Sequence, residues 1–236
     1  MAKKKAVKAK VKKENTTPHT AVEYDTKVLQ TIPYYECLHD EALNVIKAAG
    51  VEIGNWLDAG SGTGTFIKKA FVQFPGASFI LADPSVEMMN QAKVNLDGLI
   101  GRFRFLPPVS THELRINDKC DVITAINSLH YSKPAIREDA VRVCHNMLNK
   151  TGIFITTENI KPMTDDGIKI GKENWKRFQL RKGKEEKEVT KHLERFGTEY
   201  FPLTIEEHLK LYRGCGFKTV EMFWYSYMQA GFYCIK

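Results

Sequence analysis

Residues 55–66 read Asn-Trp-Leu-Asp-Ala-Gly-Ser-Gly-Thr-Gly-Thr-Phe, and no other stretch restricts the fold as tightly. A short apolar run ends in Asp58 and is followed by glycine at 60, 62 and 64. That pattern describes a buried strand turning abruptly into a helix. Glycine admits backbone conformations with φ > 0 and lets a ligand lie against the main chain. The free N–H groups at the start of the next helix face the same space. A dinucleotide fingerprint would read G-x-G-x-x-G, its third glycine packing helix on strand. Here Thr65 takes that third position and the extra glycine, Gly64, falls one place early. Asp58 would repel a pyrophosphate but suits a ligand that carries an ammonium group.

A second acidic residue follows a second apolar run. Residues 77–82 (Ala-Ser-Phe-Ile-Leu-Ala) suit a buried parallel strand, and they lead into Asp83, Pro84, Ser85 and a helical stretch over 86–96. An acid about 20 residues beyond the glycines commonly takes the ribose hydroxyls of a nucleotide. Met88 and Met89 either pack on an adenine or face the core.

The remaining chain continues the alternation. Strands are predicted over 54–58, 77–82, 103–106, 120–126 and 152–158, and helices over 64–74, 86–96 and 135–148. Such alternation implies parallel βαβ units with right-handed crossovers, and a ligand site at the carboxyl ends of the strands. Upstream, 24–49 reads as helical with a break at Pro33. Downstream, Thr204 and Glu207 form a capping-box pattern, followed by strands over 217–224 and 230–235 that suggest an antiparallel hairpin. An insertion over about 161–202 lies between the fifth strand and the last helix. Inserted covers at such a place exclude water and complete a site.

A strand ending in Asp followed by Gly-x-Gly-x-Gly resembles motif I of the class I S-adenosylmethionine (SAM)-dependent methyltransferases, and Asp83, Ser85 and Met88 resemble motif II. Tyr24-Asp25, Ile32-Pro33-Tyr34-Tyr35, Trp175-Lys176-Arg177, Leu203-Thr204 and the C-terminal Phe223-Trp224 resemble the group that includes the tRNA-uridine carboxy-SAM synthases and related small-molecule methyltransferases. The resemblance implies a Rossmann-like α/β fold, with a mostly parallel seven-stranded sheet, helices on both faces and a helical lid. It implies SAM as cofactor and S-adenosylhomocysteine as product. The cofactor residues it implies are Tyr35, Asp58, Gly60, Ser61, Gly62, Gly64, Asp83, Pro84, Ser85, Met88, Ser110 and Ala125. Two departures stand out. The synthases use a lid arginine to hold a carboxylate, and the matching place here falls near Leu193, with Arg195 close by, which favours ordinary methyl transfer. The third strand is followed by Leu106-Pro107-Pro108-Val109-Ser110 in place of an acid, leaving Ser110 or a carbonyl to meet the adenine amino group.

Methyl transfer from a sulfonium mainly needs alignment and a dry site. A base is needed only where the nucleophile loses a proton during attack. The end of the fourth strand, Ile126 to Tyr131, places Asn127 and His130 beside the methyl group as candidate catalytic residues. Histidine suits a base because its reference pKa lies near neutrality, although in related proteins this histidine also serves only to orient the loop. His192 and His208 read as surface residues. No metal-ligand spacing occurs, so no metal is expected.

The 236 residues fit one domain, 21–236, behind a lysine-rich tail, 1–20, expected to be disordered. Seven lysines against Glu14 in residues 1–14 account for six of the seven net positive charges, so the body is nearly neutral. No apolar stretch reaches the ~20 residues of a membrane span. Five scattered cysteines point to a reducing, cytoplasmic compartment. Three functions fit: a methyltransferase acting on a small-molecule acceptor; a tRNA-modification or carboxy-SAM-type enzyme that could use the basic tail and lid on nucleic acid; and a silent SAM-binding protein. A homodimer is compatible with each.

Overall fold

The structure, a computed structural model, describes residues 16–236. The lysine-rich residues expected to form the tail therefore lie mostly outside the described residues. Seven strands form one sheet: β1 (Asn55–Ala59), β2 (Ser78–Ala82), β3 (Arg102–Phe105), β4 (Cys120–Ile126), β5 (Leu148–Asn159), β6 (Thr219–Ser226) and β7 (Gln229–Ile235). Their order is β3-β2-β1-β4-β5-β7-β6. The first five are parallel, and β7 runs antiparallel to both β5 and β6.

Adjacent residues on each central strand point to opposite faces, and both faces are covered. Leu57, Ile80, Ile123 and Phe154 pack under α5 (Pro134–Met147) and α8 (Ile205–Gly214). Trp56, Phe79, Val122 and Ile153 pack under α2 (Tyr35–Ala48), α3 (Thr65–Gln73) and α4 (Val86–Leu96). Burial on both faces is why these strands read as continuous apolar runs rather than alternating ones. The capping box at Thr204 is formed, with Glu207 accepting from the Thr204 backbone N–H at 2.7 Å.

The insertion consists of α6 (Asp165–Arg181), α7 (Glu186–Glu194) and a turn that reaches Tyr200. A third cluster fastens it to α1 (Ala21–Thr31): Trp175 and Phe178 pack with Val28, Ile32, Tyr35 and Met228. The Trp175 indole N–H donates to the Thr31 carbonyl at 2.6 Å. Some of the lid charges pair within the lid, as in Lys176–Glu186 and Arg177–Glu173. Residues 16–20, assigned by composition to the tail, lie against the domain. His19 meets Thr31 Oγ1 at 3.1 Å, and the Thr16 carbonyl accepts from Arg195.

Candidate functional site

The glycine turn after β1 is held to β2 by its backbone. Gly60 N–H and Ser61 N–H both donate to the Ala82 carbonyl, at 2.7 and 3.0 Å. All three glycines have positive φ, but for different reasons. A Cβ on Gly60 would lie 2.4 Å from Ser128 Cβ, and one on Gly64 would lie 3.2 Å from Ala92 on α4. A Cβ on Gly62 would meet nothing within 4 Å. Gly60 and Gly64 therefore serve packing, whereas Gly62 borders open space. Asp25 on α1 braces the turn from outside, accepting from Thr63 Oγ1 at 2.6 Å, Thr65 Oγ1 at 2.8 Å and Asn95 Nδ2 at 2.9 Å.

That open space belongs to a cavity of about 600 Å³ at the carboxyl ends of β1, β2 and β4, well within the size of small-ligand sites. Of the residues expected to hold a cofactor, Gly60, Gly62, Asp83, Pro84, Ser85, Met88 and Ser110 line it, together with Thr111, His112 and Ile126. Asp83 is fixed in place by two backbone donors, Gly62 N–H at 2.9 Å and Ser85 N–H at 2.8 Å. Burial pushes its pKa up against those two bonds.

Tyr35, Asp58, Ser61, Gly64 and Ala125 are not on the wall. Ala125 is buried inside β4. Tyr35 packs against the His39 ring and is hydrogen-bonded to Tyr24, which does line the cavity. Ser61 Oγ faces the Met89 sulfur. Asp58 lies beneath the turn, where Trp56 Nε1 donates to Thr124 Oγ1 at 3.0 Å and Thr124 Oγ1 donates to Asp58 Oδ1 at 2.6 Å. Burial pushes the Asp58 carboxyl up to about 7, with Thr124 opposing and Asp83 adding to the rise.

A side chamber of about 30 Å³ adjoins this cavity, and the two share Tyr24, Asn127 and Tyr131. His130, Asn159, His192, Tyr200, Pro18, His19, Val28, Thr31 and Ile32 complete its wall. Asn127 and His130 are thus brought together, with Asn127 at the seam. Asn127 holds a left-handed backbone, φ +51°, and its N–H donates to Thr157. Its Nδ2 is buried with no hydrogen-bond partner. A strained backbone and an unpaired donor at one residue each cost about 1–3 kcal/mol, which is typical of a ligand-contacting position.

His192 and His208 are buried, contrary to the surface expectation. Both belong to amphipathic helices whose inner face the sequence pattern left unassigned, and burial holds both imidazoles below their usual pKa, His208 at about 4. Burial likewise lowers His130, with Glu158 opposing, and raises Tyr24 and Tyr131. The chamber wall is therefore uncharged near neutral pH. Trp175 is fully buried behind the chamber and is not part of its wall. Thr16, Thr17 and Glu199 close the outer side of the main cavity. Glu199 accepts from Arg195 Nε at 3.0 Å, and the Arg195 guanidinium lies 6.0 Å from the Tyr131 ring centre. No local signal marked Tyr24, Asn159, His192, Tyr200 or Glu199 as site residues.

Among the described residues no group of His, Cys, Asp and Glu is arranged to hold a metal, and no helix is long and apolar enough to cross a membrane. The space beside Gly62, the anchored Asp83 and the apolar Pro84 and Met88 fit a nucleoside with a charged tail. The family described as a methyltransferase domain matches residues 57–154. The chain is 25% identical over 210 residues to a carboxy-S-adenosyl-L-methionine synthase from Staphylococcus epidermidis, covering 88% of this chain and 90% of that one. In fold it is similar to a SAM-dependent methyltransferase from Clostridium acetobutylicum (TM-score 0.62, 15% identity, 91% and 96% covered). A magnesium protoporphyrin IX methyltransferase from Synechocystis, solved with S-adenosylhomocysteine, gives a TM-score of 0.59 at 16% identity, with 84% and 82% covered.

Proposed function

We propose that this chain, which matches a methyltransferase domain over residues 57–154, is a class I SAM-dependent methyltransferase that methylates a small-molecule acceptor whose reacting group enters the side chamber. The observation that carries this reading is Asn127, which lines both the main cavity and the uncharged side chamber and whose buried Nδ2 has no hydrogen-bond partner. Asp83 is placed to take the ribose hydroxyls, Pro84 and Met88 to flank the adenine, and Gly62 to leave room for the ligand. Buried Asp58 supplies negative charge beneath the turn, toward the ammonium end. When bound, SAM supplies a methyl group already activated by its sulfonium. The protein's part is then to align the acceptor and exclude water. Asn127 Nδ2 orients an acceptor oxygen, His130 receives a proton, and the 16–19 segment with Tyr200 covers the chamber.

Arg195 supports a second reading. Its guanidinium beside Tyr131 is suitably placed to pair with a carboxylate once Glu199 yields, as conversion of SAM to a carboxylated derivative would require.

Incubating the full chain with SAM and a panel of small acceptors, followed by mass spectrometry, tests both. Accumulation of S-adenosylhomocysteine with a methylated small product, insensitive to salt, is the expected result. A heavier SAM-derived nucleoside would establish the second reading in its place. Turnover confined to tRNA and falling steeply with salt, or SAM binding without any turnover, would overturn the small-acceptor proposal.

A further inference from the structure

Glu158 is a carboxylate that the cofactor site does not use. It sits near the end of β5 with no exposed surface. Its Oε1 accepts from Thr156 Oγ1 at 2.6 Å. Its Oε2 has no hydrogen-bond partner within normal range, and His130 Nδ1 lies 3.4 Å from it. The same Nδ1 lies 3.3 Å from the Asn159 backbone N–H. One nitrogen therefore faces both an acceptor and a donor, and its tautomer decides which is satisfied.

The energies favour the carboxylate. Leaving a buried ionised carboxylate unpaired costs several kcal/mol, whereas giving up one long backbone bond costs about 1–3 kcal/mol. Burial alone would push the Glu158 pKa up, but His130, Arg137 and His208 outweigh it and hold the carboxyl below its usual value. Arg137 is itself fully buried, bonded through Nε to the Leu129 carbonyl at 3.0 Å and through Nη2 to the Ser132 carbonyl at 3.1 Å. A buried guanidinium beside it keeps Glu158 ionised. An ionised Glu158 puts the proton of a neutral His130 on Nδ1. Nε2, on the far side of the ring, then carries the lone pair, and His130 lines the side chamber.

We propose that Glu158 is a positioning residue that locks the Nδ1–H tautomer of His130, making Nε2 the base for a hydroxyl acceptor. This deepens the methyltransferase reading and rests on it. In the step, the acceptor oxygen–carbon bond forms as the donor sulfur–carbon bond breaks, its electron pair staying on sulfur. The hydroxyl proton passes to Nε2, and the resulting imidazolium is paired with Glu158. Charged groups facing the ring from other elements are Glu158 on β5, Arg137 on α5 and Arg195 of the lid. Tyr131, Tyr200, His192 and His208 pack around them as neutral groups. A carboxylate or thiolate acceptor would need no such base.

Long-range ¹H–¹⁵N spectra of histidine-labelled full chain, with and without saturating S-adenosylhomocysteine, test the lock directly. His130→Gln assigns the His130 signals. The wild type should show protonated Nδ1 and unprotonated Nε2 near neutral pH. Glu158→Leu should reverse the tautomer, because only the Asn159 N–H then faces Nδ1. Glu158→Gln, the gentler change, should lower the Nδ1–H population. A wild-type Nε2–H tautomer, or a population unchanged in whichever variant folds, overturns the proposal. So would turnover confined to carboxylate acceptors. Calorimetry of S-adenosylhomocysteine on the same samples reports cofactor binding, so a failure of the SAM reading shows separately from a failure of the dyad.

Discussion

The two sides of the cavity draw on the chain in opposite ways. On the proposed cofactor side, Gly60, Gly62, Asp83, Pro84, Ser85 and Met88 come from two strand-to-helix turns, and the backbone sets most of the geometry. On the proposed acceptor side, the wall gathers Pro18, Tyr24, Asn127, His130, Asn159, His192 and Tyr200 from distant segments, and side chains set the geometry. A turn of fixed shape can be recognised from adjacent letters. A wall assembled by helix docking depends on which faces meet, and its chemistry is free to vary while the first side stays fixed.

If the two sides are separable, a change in the glycine turn should abolish cofactor binding without unfolding the lid. Gly62→Val adds a side chain where there is open cavity, at a backbone φ of +52°. Filling the space beside the turn should remove most of the binding free energy, on the order of several kcal/mol, while the strained backbone costs the folded state about 1–3 kcal/mol. Calorimetry with S-adenosylhomocysteine should show no binding, with a melting temperature lowered by several degrees and a cooperative transition retained. Wild-type-like affinity in the variant would remove Gly62 from the site.

The complementary change is on the acceptor side. Trp175→Ala empties a fully buried position and leaves the Thr31 carbonyl without its donor. The expected loss is about 3–5 kcal/mol of stability, read from denaturant midpoints. Cofactor affinity of the folded fraction should stay within a few-fold if the lid and the turn are independent. Loss of affinity in proportion to stability would show that they are one cooperative unit.

That contrast also explains what the sequence made legible. The strands β1, β2 and β4, the paired turns and the capping box follow from local patterns, and the structure places them within a few residues of expectation. Asp58, Ser61, Gly64 and Ala125 belong to the right turns and strands and Tyr35 opens α2, yet all five lie off the wall. Motif spacing locates a residue along the chain, but it does not say whether its side chain faces the ligand or the neighbouring helix. His192 and His208 read as surface because their flanking residues are charged, while the inner faces of α7 and α8 are buried by contacts from across the chain. The 16–20 segment was hidden for a related reason: its composition is polar, and it is held through His19 and the Thr16 backbone rather than by apolar burial.

Asp83→Ala probes the cofactor side with a smaller expected effect. Removing a charged acceptor should cost roughly 1.5–3 kcal/mol of S-adenosylhomocysteine affinity. The variant also frees the Gly62 and Ser85 N–H groups that the carboxylate now holds. Asp83→Asn keeps one acceptor oxygen and should recover part of the loss. Equal affinities for wild type and both variants would place the ribose elsewhere.

The smallest effect is a pH dependence that belongs to the cofactor side alone. Burial raises the Asp58 carboxyl to about 7. A raised carboxyl favours the protonated form in the folded, unliganded protein, so this group's contribution to stability is greatest at low pH and is lost as pH rises through about 7. Binding of an ammonium group favours the opposite, ionised form. Cofactor affinity should therefore be flat above about 7 and fall at lower pH, by at most about tenfold per unit, with protons released on binding. Calorimetry of S-adenosylhomocysteine in buffers of different ionisation enthalpy reads that release. Asp58→Asn keeps the oxygen that accepts from Thr124 but cannot titrate, so its profile should be flat through the same range. A slope that persists in Asp58→Asn would move the titration to another group, with Asp83 next in line because burial raises it too.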